Sequence, residues 1–313
     1  MIDALIVCAR NQEVSEISKV LRQTGEATRI RAEPNTSFSF EVYRIPSTGP
    51  RGEAIVGIVN CGDMGNVHSA IRTAYFYNLF VPSVMVFCGI AGSLEPKKAR
   101  LGDVVIPTKV YNYKHDKISD LKGAERDSAR EKGFDDCIEF LADRTISLRP
   151  KRKDIGIDDS ALQLLTALPR DEISDELESE DLPQELMDVE DLRVERRAQL
   201  IREEDIFSWE MVFNSAVYRS FLKGKNELNG AVVVDMESFG FVSAVRELRK
   251  VNGILAGFVV RGVSDYVGYK EECDAIDGER FRHMALRNAA LVAIRIVRGI
   301  NFEDITVQKQ SGG

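Results

Sequence analysis

The chain has 313 residues, 44% apolar and 29% charged, enough for one large domain or two ordinary ones with a core that needs no covalent staples. Its net charge of −8, from 42 basic and 50 acidic residues, argues against a general nucleic-acid-binding surface. No apolar run reaches membrane-spanning length, and the five cysteines lack any C-x-x-C spacing, so we expect no membrane partner, disulfide framework or structural metal.

The opening "MIDALIVCAR" carries Asp3 and no basic leader, so residues 4–9 read as a first strand, not a signal peptide. With free thiols, a reducing cytoplasmic location is expected. "QEVSEISKVLRQTG" puts Val14, Ile17, Val20 and Leu21 on one helical face and stops at Gly25. "SFSFEVYRI" alternates as a strand. "AIVGIVN" is another, followed by the turn "CGDMGN" and a helix over about 67–79. "SVMVFCG" and "GDVVIPTKVYNY" are the next strands.

Residues 117–205 break the pattern. They are dense in charge, poor in strand signals, and hold one plausible helix, "DDSALQLLTAL". Between 171 and 205 there are 15 acidic residues against four arginines, so this stretch carries −11 and the rest of the chain about +3. We read an acidic insertion at about 117–205 in a single domain spanning 1–313. A solvated surface is its first reading, and a docking site for a basic regulatory partner its second. Then come the strand "GAVVVDM", the helix "ESFGFVSAVRELRK", the strand "ILAGFVVRGVSD" and the long final helix "GERFRHMALRNAALVAIRIVRG".

Strands that are apolar at every position are covered on both faces. Their alternation with helices predicts a three-layer α/β/α sandwich around a mixed, mostly parallel sheet. Such sheets bind ligands beyond the carboxyl ends of their strands. Several polar or glycine-bearing positions fall there: Arg10 and Glu13, the turn Ile90-Ala91-Gly92, Asp235-Met236-Glu237, and Arg261, Ser264 and Asp265. Each has a plain structural reading. A helix dipole accounts for Glu13, capping or ion pairing for Asp235 and Glu237, and a turn for Asp265. No P-loop and no G-x-G-x-x-G is present, so a phosphate cradle of those types is not expected.

Taken together and in order, "CARNQEV", "CGDMG", "CGIAGSL…GDVVIPTKVYNY", "DMES" and "VVRGVSDYV" resemble the nucleoside phosphorylase and nucleosidase superfamily over roughly 2–113 and 208–300. That superfamily includes the methylthioadenosine/S-adenosylhomocysteine nucleosidases and the AMP nucleosidases. The resemblance implies an enzyme that hydrolyses the N-glycosidic bond of a purine nucleoside or nucleotide and releases free base, with adenine expected. It implies that Asp265 protonates the leaving purine and that Glu13 deprotonates water with support from Arg261. Glu237 would bind the ribose hydroxyls while Met236 packs on the sugar. Val212 and Phe213 would contact the base, and Ser264, Ile90, Ala91, Gly92 and Arg10 would complete the pocket. Arg10, Arg282, His283, Lys114 and His115 would suit a charged 5′ group. The resemblance also implies no cofactor, and a homo-oligomer (dimer or hexamer) in which a neighbour closes each pocket.

Two other readings stand beside hydrolysis. One is a phosphate-dependent phosphorylase. Ile90, however, lies where phosphate would need a hydroxyl, and Glu13 would repel the anion by several kcal/mol at ~4 Å and an effective dielectric near 20. The other is a non-catalytic nucleotide sensor on the same fold.

Overall fold

Every residue of β1 (Ala4–Cys8) is apolar, and the computed structural model buries all five in the middle of a sheet. The structure describes residues 2–307 except 24, 26, 35–38, 121–136, 141–143, 167, 183–185, 187–191, 193–195, 225–227, 229, 254 and 277–278. After β1 come α1 (Asn11–Gln23), β2 (Thr28–Pro34), β3 (Ser39–Pro46), β4 (Glu53–Asn60), α2 (Asn66–Phe80), β5 (Val84–Ser93) and β6 (Val104–Ile106). The middle of the chain forms β7 (Lys109–Asp120), β8 (Cys137–Phe140), β9 (Arg144–Gly156), α3 (Asp159–Thr166), α4 (Arg170–Glu176), β10 (Leu200–Arg202) and β11 (Asp205–Ser208). The last third holds α5 (Ala216–Gly224), β12 (Ala231–Asp235), α6 (Ser238–Val251), β13 (Ala256–Tyr266), α7 (Lys270–Asp274), α8 (Arg280–Gly299) and α9 (Phe302–Val307).

The sheet runs β2-β3-β4-β1-β5-β12-β11-β7-β9-β8, with β13 paired to β5 and to β6, and β6 to β10. Its centre is parallel: β4, β1, β5 and β13 run side by side in one direction. Among the described residues, antiparallel pairing is confined to the hairpins β2-β3-β4 and β7-β9-β8 and to the short contacts β12-β5 and β13-β6. Helices α1 and α8 pack together on the sheet, as do α2 and α6, which completes a three-layer α/β/α sandwich. All eleven residues of β13 are buried, as two-sided cover requires. Helix α8 lies so close to β13 that a Cβ at Gly262 would collide with the backbone of Ala285.

The segment 117–205 differs from its sequence reading, although parts of it, including 121–136 and 187–191, lie outside the described residues. Strand β7 continues to Asp120 and pairs with β9 from Lys109 opposite Gly156 to Asp120 opposite Ile146. Charged residues interleaved through "KHDKISD" and "RTISLRPKRKDIG" hide the apolar pattern that would announce strands. In the acidic run, Ile173, Leu177, Leu182, Leu186 and Leu192 are buried in the main core. The Asn288 side chain, itself buried on α8, accepts from the Glu178 N–H and donates to the Glu178 carbonyl, both at 2.9 Å. High acidity thus coexists with a packed apolar face rather than marking a purely solvated surface.

Candidate active site

Three strand ends, those of β1, β12 and β13, supply the polar cluster. Beyond β1, Glu13 sits in the first turn of α1. Its Oε2 accepts the N–H groups of Ala9 and Arg10 at 2.7 and 3.0 Å, the carboxylate half of a capping box. Its Oε1 accepts no hydrogen bond from the described residues and faces Gly89, where a Cβ would stand 2.9 Å from it and collide with Arg261 Nη1. Only glycine lets β5 pass here. Burial raises the Glu13 pKa, while the charge of Arg261 and the two N–H donors pull it back in part.

Arg261 is wholly buried at the midpoint of β13. Its Nε donates to Asp235 Oδ2 at 2.7 Å and its Nη2 to Glu237 Oε2 at 3.4 Å, and the guanidinium lies over the Phe87 ring, 4.4 Å from its centroid. A buried cation is tolerable only when paired in this way. The expected support of Glu13 by Arg261 is therefore by charge and proximity. The hydrogen bonds of the arginine go to Asp235, Glu237 and the Ser238 hydroxyl.

Asp235 was noted in the sequence as a strand-end carboxylate but was given no role in the site. It accepts from both the N–H and the hydroxyl of Ser238, and so serves the start of α6. The Phe239 N–H goes to Ser208 Oγ at 3.2 Å and the Gly240 N–H to Asn66 Oδ1 at 2.8 Å. Glu237 stands at the N-cap position but makes no cap bond, because its neighbours already fill that role. Among the described residues, the one backbone donor to it is the Gly65 N–H, at a long 3.4 Å. The Glu237 pKa is raised to about 7, mainly by burial, with Asp235 and Glu13 adding to the rise and Arg261 opposing it. Cys8, Cys61 and Cys88 are buried free thiols close to these carboxylates. Burial pushes Cys61 up to about 12, which leaves no thiolate nucleophile there at neutral pH.

Asp265 sits at a bulge. Val263 pairs with Ala91 and Asp265 with Gly92, so Ser264 is the extra residue that re-aims the strand end. Asp265 Oδ2 accepts from Ser264 Oγ at 2.7 Å and from Lys270 Nζ at 3.3 Å. Its Oδ1 lies against Gly92 and accepts nothing from the described residues.

One cavity of roughly 760 Å³, open to solvent at its mouth, brings these groups together. Of the residues predicted from sequence, Glu13, Arg10, Ile90, Ala91, Gly92, Met236, Glu237, Val212, Phe213, Ser264 and Asp265 all line it. Arg261 does not; it lies beneath, behind the carboxylates. Phe213 is packed on Trp209 and Phe207, whereas Val212 and Met211 are exposed at the rim. Met64, Asp235 and Lys270 also line the cavity without having been predicted as site residues. Met64 sits in the loop before α2 and Lys270 at the start of the short helix α7, with no spacing to announce them, while the Asp-Met-Glu sequence at a strand end did signal Asp235. Arg282 reaches both this cavity and an adjoining one of roughly 620 Å³, which also holds His283. The side chains of Lys114 and His115 lie outside the described set.

The family model of the phosphorylase superfamily matches residues 3–201. The chain belongs to the phosphorylase superfamily. Among solved structures, this superfamily member is similar to a futalosine hydrolase of Helicobacter pylori, at 17% identity and a TM-score of 0.60, over 96% of this chain and 98% of that one. It is also similar to a 5′-methylthioadenosine/S-adenosylhomocysteine nucleosidase from Neisseria meningitidis in complex with methylthio-immucillin-A (16% identity, TM-score 0.58, 96% and 100% covered). The corresponding Helicobacter pylori nucleosidase aligns at 18% identity and a TM-score of 0.58, over 94% and 97%. At these identities the likeness establishes the shared fold of the superfamily. A comparison with curated proteins finds no match.

Proposed function

We propose that this phosphorylase-superfamily chain hydrolyses the N-glycosidic bond of a purine nucleoside or nucleotide. The observation that carries the reading is that Glu13, Glu237 and Asp265, from three different strand ends, line one cavity. Glu13 and Asp265 each tether one oxygen to the protein, and the other accepts nothing from the described residues. Cleavage builds positive charge on the ribose and negative charge on the departing base, and a site must stabilise both. Asp265 gives a proton to the purine as the C1′–N bond breaks. Glu13 takes a proton from the water whose oxygen bonds to C1′. Glu237 accepts the ribose hydroxyls, Met236 packs on the sugar, and the carboxylates offset the cationic sugar. Arg261, held by Asp235 and Glu237, limits the mutual repulsion of these acids.

Phosphate is the poorer nucleophile for this pocket, since the wall near Glu13 offers Ile90 and a carboxylate rather than hydroxyl donors. Beyond Glu13 the adjoining cavity shares Arg10, Ile90 and Arg282. Arg10 rests on the Met64 sulfur at 2.8 Å and has no carboxylate ion-pair partner among the described residues. A ribose between Glu237 and Glu13 directs its 5′ end there, which favours a nucleotide substrate. Incubation with adenosine, inosine, methylthioadenosine, AMP and ATP, each with and without phosphate, should release free base without phosphate, followed by chromatography. A strict phosphate requirement would make the protein a phosphorylase, and no release from any purine would make it a sensor.

The active form is a dimer in this reading. On α2, Val67, Ile71, Tyr75 and Leu79 recur every four residues and are 47–63% exposed, whereas Ser69, Thr73 and Phe76 face inward. The stripe starts at the cavity: the Asn66 N–H bonds to Glu210 at 3.2 Å, and Glu210 adjoins the exposed rim residues Met211 and Val212. A second copy seated on α2 would cover the stripe and roof the cavity. Sedimentation of Ile71→Glu should show monomers with weakened activity. An unchanged mass for that variant, or a monomeric native protein, would remove the dimer from the proposal.

A further inference from the structure

We propose that Lys270 reads the C6 substituent of the bound base and makes the pocket selective for 6-oxopurines over 6-aminopurines. The inference rests on the assignment of Asp265 to the leaving base and goes beyond it, since adenine is the base that the family resemblance implied. Lys270 opens the short helix α7, and its side chain lines the cavity, about three-quarters buried. The ammonium has three N–H donors and no acceptor. One goes to Asp265 Oδ2 at 3.3 Å, and the ammonium forms an ion pair with Asp274 Oδ2 at 3.2 Å. Even with one N–H turned to each carboxylate, a third is unclaimed by the described residues.

The lysine is held in place. Asn214 Oδ1 accepts the N–H of Gly268 at 2.9 Å and that of Lys270 at 3.3 Å. This ties the turn that carries Lys270 to the segment that carries the predicted base contacts Val212 and Phe213. Gly268 has φ +95° and would meet Ala216 with any added Cβ, so the turn is tight and specific.

The chemistry follows from the order of groups on the purine rim, where the C6 substituent neighbours N7. An Asp265 that donates to N7 places the adjacent ammonium at C6. A 6-oxo group is an acceptor and completes a pair of acceptors, N7 and O6, the same edge by which basic side chains single out guanine in DNA. A 6-amino group is a donor and would set N–H against an ammonium. The ammonium also lies where negative charge grows on a departing 6-oxopurine. A lysine serving only as an i,i+4 partner of Asp274 would show no preference between bases.

Calorimetric titration with the free bases hypoxanthine and adenine tests the inference without any need for turnover. Hypoxanthine should bind native protein about 10- to 100-fold more tightly. The ratio should fall close to one in Lys270→Met. In Lys270→Gln, whose amide can turn either a donor or an acceptor to the base, it should fall likewise, which covers the case of a methionine variant that misfolds. Equal or tighter adenine binding by native protein overturns the inference, as does a preference that survives both substitutions or a failure of both bases to bind. Inosine and adenosine cleavage is measured in parallel. If neither is cleaved yet the base preference depends on Lys270, the hydrolase reading fails and the specificity assignment stands.

Discussion

Asp265→Asn is expected to lower turnover of a purine nucleoside by about 10²–10⁴-fold, the usual loss when a general acid is removed. The substitution is nearly isosteric. An asparagine oxygen can still accept from Ser264 Oγ, and Lys270 keeps its second partner, Asp274. The fold and the cavity should therefore survive, and base or nucleoside binding should change far less than kcat. The measurement is kcat with a cleavable purine nucleoside, beside a binding titration with its free base. A substrate whose leaving group needs no protonation, such as a nitrophenyl riboside, should lose much less activity in the variant. A near-normal rate with the purine substrate would remove Asp265 from the mechanism.

Glu13→Gln should cost a similar 10²–10⁴-fold by removing the base that accepts the proton of the attacking water. The geometry separates this role from a structural one. Glutamine can still offer one oxygen to the Ala9 and Arg10 N–H groups, so the start of α1 should hold and the melting temperature should fall by only a few degrees. Loss of folding in this variant would make Glu13 a helix cap and no more. The pH dependence carries a further signature. Glu13 and Glu237 must both be ionised to accept, and burial raises both pKa values, Glu237 to about 7. Native activity should therefore fall as pH drops through an acid limb well above the ordinary glutamate range, a limb that belongs to the pair. The residual activity of Glu13→Gln should retain only the part of the limb set by Glu237.

Much of the sheet was legible because parallel strands covered on both faces must be apolar along their length. Residues 4–9, "SVMVFCG" and "GFVVRGVSD" announce themselves by that requirement alone. The pairing of β7 with β9 was not legible, because charged residues interrupt its pattern. Nor was the burial of Leu177, Leu182 and Leu186, since composition averages an apolar face together with the acids around it. The strand-end carboxylates were visible as residues, but their division of labour was not. Sequence allowed Glu237 to be a cap for α6. In the fold Asp235, Ser208 and Asn66 satisfy the first N–H groups of that helix and leave Glu237 to the cavity.

The order of amino acids by itself determined the α/β layering, the family and the strand ends where Glu13, Glu237 and Asp265 would lie, because periodicity and local motifs act over a few residues. Only the tertiary structure decided that these acids share a cavity, that Arg261 gives its hydrogen bonds to Asp235, Glu237 and Ser238, and that Lys270 stands beside Asp265. Those outcomes depend on contacts between segments far apart in the chain, and on which neighbour reaches each buried donor or acceptor first.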